Sequence, residues 1–97
     1  MATGQGTAII NFGGGGGANE AVIAVGGQST ISATSKVEAY VMGDDTTSTH
    51  TANDHKYFSS LCGLTCGTPI TGTGFSIYGR SFQKLTGSFT VRWVWAD

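Results

Sequence analysis

The chain has 97 residues and a mass of 10.0 kDa, enough for one domain and too little for a separate catalytic lobe. Only 11% of its residues are charged and the formal net charge is -1. That excludes the broad basic footprint of a nucleic-acid binder and the polybasic patch of a membrane-surface protein. Disorder is excluded as well, because 10% of the residues are aromatic and disordered chains combine high charge with few aromatics.

Glycine, serine and threonine fill 39 positions, and there is a single proline. With clusters of β-branched and aromatic residues between the glycines, this composition reads as all-β. No run approaches the roughly 18 consecutive apolar residues of a membrane helix. The opening Met-Ala-Thr-Gly-Gln-Gly lacks the basic start and apolar run of a signal peptide, so the chain is expected to be made and used without secretion.

In chain order, Thr7 to Phe12 is the first predicted strand, with Ala8, Ile10 and Phe12 on one face. Five glycines follow, Gly13 to Gly17, and such a run holds no regular element because glycine loses the most backbone entropy on ordering. Glu20 to Val25 is the second strand, closed by the turn signal Gly26-Gly27. A short extended piece around Ile31 leads to a third strand, Lys36 to Met42, in which Val37, Ala39 and Val41 alternate with Glu38, Tyr40 and Met42. Residues 43–55 form the longest polar stretch, read as a functional or flexible loop.

Tyr57 to Cys66 is read as a strand, with a helical turn begun by Asn53 or Asp54 as the other reading. Phe75 to Tyr78 is a short strand, and Gly79 to Thr86 a loop carrying Arg80 and Lys84. Ser88 to Trp95 is the clearest strand of all. Phe89, Val91, Trp93 and Trp95 share one face there, and Thr90, Arg92 and Val94 the other. Six or seven strands without a convincing amphipathic helix predict a small antiparallel β-sandwich or barrel. A domain of this size buries only about 60–65% of its surface, so an oligomer or a larger assembly is expected to support it.

Little in the sequence is arranged for chemistry. His50 and His55, with Asp44, Asp45 and Asp54 nearby, fall short of the three or four converging ligands of a zinc site. Five residues apart, the two histidines take opposite faces of a strand, and only a loop or a symmetry axis between subunits would gather them. Ser59 or Ser60 with His55 and Asp54 spells a hydrolytic triad, but no Gly-x-Ser-x-Gly elbow holds it. Gly13 to Gly17 is followed by Ala18, Asn19 and Glu20 and then an apolar strand, not the Gly-Lys-Ser/Thr ending and helix of a phosphate loop. Cys62 and Cys66 on one strand would stand about 13 Å apart, beyond the ~7 Å reach of a disulfide. Trp93 and Trp95 read first as core, with a glycan platform or a subunit contact as their other uses. No catalytic residue, cofactor or metal is expected.

Several blocks, taken in order, resemble a family of small bacteriophage and prophage virion proteins. They are Gly6-Thr7-Ala8 to Asn11-Phe12-Gly13, Glu20-Ala21 to Val25-Gly26-Gly27-Gln28, Ile31, and Ser35-Lys36-Val37-Glu38-Ala39. After these come His50 to Asp54-His55, Gly72-Thr73-Gly74-Phe75-Ser76-Ile77-Tyr78, and Val91-Arg92-Trp93-Val94-Trp95. The glycine run Gly13 to Gly17 and the Cys62/Cys66 pair depart from that pattern.

The resemblance implies a structural part of the virion, assembled in the host cytoplasm, with no enzymatic activity. The first expectation is a capsid decoration or cement protein that docks on the major capsid protein as a homo-oligomer. The others are a tail-fibre or spike module that binds a receptor or glycan through Tyr40, Tyr57 and Tyr78, and a neck or tail ring subunit. Neither nucleic acid nor membrane is an expected partner. Candidate interface residues are Tyr40, Asp44, Asp45, His50, Asp54, His55, Tyr57, Arg80 and Lys84, and His50 and His55 are the candidate metal ligands across a symmetry axis.

Overall fold

The structure, a computed structural model, describes residues 2–42, 47 and 50–97. Its described strands are β1 (Thr3–Asn11), β2 (Ala18–Val25), β3 (Lys36–Val41), β4 (Cys62–Cys66), β5 (Phe75–Leu85) and β6 (Ser88–Ala96). One helix, α1 (Ala52–Leu61), lies between β3 and β4. The strands form two antiparallel three-stranded sheets, β1-β6-β3 (sheet A) and β2-β5-β4 (sheet B). The expected all-β fold is therefore a sandwich, with the two sheets packed face to face.

Sheet A is organised by β6. Its inward side chains Phe89, Val91, Trp93 and Trp95 are all buried, as alternation in a half-buried strand requires. Two indoles on one face demand room, and the neighbouring strands supply it. Register pairs Gly4 with Trp95, Gly6 with Trp93 and Ala8 with Val91, while β3 sets Val37 beside Trp95 and Ala39 beside Trp93. A Cβ at Gly6 would stand 2.6 Å from the Trp93 ring, and one at Gly4 2.2 Å from Trp95. The glycines are there because the indoles lie over their Cα atoms. Trp95 Nε1–H donates to Gln28 Oε1 at 3.0 Å, so this indole meets its polar need inside the fold.

Sheet B presents Phe75 and Ile77 of β5 inward, with Ile23 and Val25 of β2 and Leu64 of β4 packed around them. Gly79 repeats the device, since a Cβ there would lie 2.9 Å from Ile10 Cδ1. Between the sheets Phe75 and Trp93 meet edge to face, their centroids 5.4 Å apart.

The helix corrects the sequence reading. Thr51 caps it: its hydroxyl accepts from Asp54 N–H at 3.3 Å, and Asp54 Oδ2 accepts from Thr51 N–H at 3.1 Å. This reciprocal capping box starts α1 inside the segment 43–55 read as loop, and α1 then takes Tyr57 to Leu61 out of the predicted strand. Only Cys62–Cys66 keeps strand geometry. Two further expectations are corrected. Gly79 to Thr86 is mostly strand, because β5 runs on to Leu85, and the segment around Ile31 is a pair of turns with Ile31 itself buried.

The close fit of glycine to indole is open to measurement by denaturant melts. Trp93→Ala is expected to cost about 3–5 kcal/mol and Gly6→Val about 1–3 kcal/mol through overpacking. The pair Gly6→Val/Trp93→Ala should cost less than the two single changes summed, because the new methyls occupy volume the indole vacates.

Candidate interaction surface

The candidate residues from the sequence fall on separate parts of the molecule. Tyr40 is exposed on the outer face of sheet A, beside Arg92. Tyr57 and Asp54 are exposed on α1. Arg80 and Lys84 lie exposed on β5. Asp44 and Asp45 lie outside the described residues. Among the described candidates the structure brings His50 and Asp54 into contact, with Nδ1 3.2 Å from Oδ2.

The two histidines belong to the end of the sandwich. His50 and Phe58 each stack on Phe89 at a centroid distance of 4.0 Å. Two rings that close and near-parallel to a third must occupy its opposite faces. His50 Nδ1 faces Asp54, and Nε2 faces the carbonyl of Thr86. His55 is fully buried, at 0% exposure. Its Nδ1–H donates to the Thr51 carbonyl at 2.8 Å, and Nε2 accepts from Thr90 N–H at 2.9 Å.

Pairing of β3 with β6 stops at Val41 and Val91, and His55 takes up the amide one residue beyond. It therefore leaves the set of interface and metal candidates: its ring ties α1 to β6, and neither nitrogen is free to bind anything else. Among the described residues no three His, Cys, Asp or Glu side chains gather as a metal site would need. Cys62 and Cys66 are free thiols, half-buried on the inner face of β4. Burial pushes both above the usual thiol value, and the Glu38 carboxylate adds to the rise at Cys66. That suppresses the thiolate a nucleophile would need.

The two outer faces differ. Sheet A turns Gln5, Thr7, Lys36, Glu38 and Thr90 outward, together with Ile9, Tyr40, Arg92 and Val94. Sheet B turns out Val22, Tyr78 and Phe82, with Glu20 and Arg80 at one end. Val22 and Tyr78 are register partners, as are Glu20 and Arg80, whose side chains approach to 3.4 Å while remaining 70% and 83% exposed. On the far side of β5, Gly63 pairs with Arg80 and Thr65 with Tyr78. The missing side chain at Gly63 opens a groove of about 870 Å³, lined by Val22, Gly63, Thr65, Tyr78, Arg80 and Phe82 among others.

Phe82 is 92% exposed, and a bulge is the cause. Between the pairs Ala18–Leu85 and Glu20–Arg80, β2 advances two residues while β5 advances five. The excess residues of β5 leave the ladder, and Phe82 stands out with them. Asn19 Nδ2–H donates to the Ser81 carbonyl at 3.1 Å, and Gln83 N–H to Ser81 Oγ at 3.2 Å, so hydrogen bonds hold the bulge in shape. Bulges of this kind re-aim side chains and cluster where a strand does more than pair.

Val22 and Phe82 are absent from the sequence-derived candidates. A signal existed for Val22: Ala21 to Val25 is apolar at every position, and a strand apolar on both faces expects a cover on both. No family model, curated protein or solved structure matches the chain.

Two measurements test the end of the sandwich. His55→Ala leaves Thr90 N–H buried without its acceptor and is expected to cost about 2–4 kcal/mol in a denaturant melt. Backbone and side-chain hydrogen bonds from Thr51 and His50 hold the Asp54 carboxyl below its ordinary 3.8. Its contribution to stability is thus complete above that value and is lost as pH falls through the lower folded one. Acidification below 3.8 should therefore lower the melting temperature of the wild type more than that of Asp54→Asn.

Proposed function

We propose that this chain is a non-catalytic structural component of a phage particle, a decoration or cement protein that docks on the capsid shell as an oligomer. The observation that carries the reading is the uncovered apolar outer face of sheet B, where Val22, Tyr78 and Phe82 stand in water on a well-packed sandwich. An exposed apolar patch rimmed by charge marks a surface meant for another protein, and high copy number makes even a small contact count. The resemblance of its ordered blocks to small virion proteins is what points to this kind of assembly.

The same face favours a second reading. Tyr78 and Phe82 beside a groove that carries Arg80 and Glu20 offer rings and hydrogen-bonding groups to a sugar, as a receptor-binding fibre tip would.

Immunogold labelling of intact particles of the phage that carries the gene separates the two. Label spread evenly over the head is the expected result, whereas label confined to the tail tip would overturn decoration in favour of the fibre. In a companion experiment, Phe82→Ala should bind more weakly to shells stripped of this protein, because the oligomer that docks is lost, while the melting temperature of the dilute chain stays within about 1 °C of the wild type, as befits a surface change.

A further inference from the structure

We propose that the outer face of sheet B is the contact between two copies of this chain, packed face to face about a twofold axis. The inference deepens the proposed function and rests on its reading that this face is covered by protein. It names the cover, and it concerns the isolated chain as much as any particle.

The face is complementary to itself. Glu20 and Arg80 sit side by side as register partners on β2 and β5, both mostly exposed. Apart from Lys84, exposed near the end of β5, the face carries one charge of each sign and offers no single-sign patch to an acidic or a basic partner. It does match its own rotated image. A twofold axis parallel to the strands, running between β2 and β5, exchanges register partners. It sets Glu20 of one copy over Arg80 of the other, and Val22 of one over Tyr78 of the other. Each charge then meets its opposite and each apolar side chain an apolar one, which is what an isologous interface requires. Sheets stacked this way lie about 10 Å apart and cross at about 30°, so the tall Tyr78 ring fills the gap beside the smaller Val22, and Phe82 closes the contact beyond the Glu20–Arg80 pair.

Size sets the strength. Three strands span about 15 Å, so a contact confined to this face falls in the small class, below about 1,200 Å² in total, where association is reversible. The dimer is accordingly expected to dissociate in the micromolar range, tight enough at the concentrations of assembly and loose in dilute solution.

The test is sedimentation equilibrium of the purified chain from low micromolar to near-millimolar concentration. The wild type is expected to pass from monomer to dimer. Glu20→Arg and Arg80→Glu each place like charges opposite one another and should stay monomeric alone, yet recover a heterodimer when mixed in equal amounts. Recovery on mixing separates a contact between chains from the ion pair within each chain, which mixing cannot repair. Phe82→Asp should also be monomeric, and circular dichroism melts identify any variant that is merely unfolded. A wild type that stays monomeric throughout, variants that dimerise as the wild type does, or a mixture that fails to recover would each overturn the proposal. None of these would bear on where the chain sits in a virion.

Discussion

Everything in this sandwich depends on where two indoles can go. Trp93 and Trp95 occupy the same face of β6, and together they are too large to lie inside a small sandwich beside ordinary neighbours. Gly4, Gly6 and Ala39 yield the space. The fit fixes register, because a one-residue slip of β1 would put its outward side chains Gln5 and Thr7 against the core, where the indoles leave them no room. It also explains an apparent extravagance of glycine in β1. Elsewhere in a strand glycine weakens pairing, but here its lack of a Cβ is what lets sheet A close on its largest side chains.

The second constraint is the open end of the sandwich. β3 stops pairing at Val41, and the edge of β6 beyond it needs a cover. Helix α1 provides one, with Phe58 stacked on Phe89 and His55 bonded to the Thr90 amide. A polar ring at the centre of an aromatic cluster is tolerated because both of its nitrogens are satisfied. The histidines, the most chemically suggestive residues in the sequence, thus serve the architecture, and the proposed contact surface lies on the other sheet.

The sequence was informative wherever a side-chain pattern was decided by one strand alone. β6, with its strict alternation from Phe89 to Trp95, and β3, from Val37 to Val41, are plain on sight. Helix α1 was legible only as the second reading, a helical turn begun by Asn53 or Asp54, because its mixture of Tyr57, Phe58 and Leu61 suits a strand as well. Its start rests on a Thr51–Asp54 capping box set in a run of polar residues. The far half of β5 was hidden because Gly79, Ser81 and the Thr86-Gly87 pair look like a loop. Gly79 is there to admit Ile10, and Ser81 anchors a bulge. The bulge in turn concealed the surface, since a phenylalanine read as part of a loop gives no hint that it crowns a sheet.

The central claim is that this molecule works through the outer face of sheet B. The most direct test is hydroxyl-radical footprinting of the free, dilute chain against the chain assembled in particles. Phe82 and Tyr78 should oxidise readily in the free chain and be protected in the assembly. Tyr57, exposed on the helix away from that face, is the internal reference and should react more nearly alike in both. Equal oxidation of Phe82 in the free and assembled states would contradict the account.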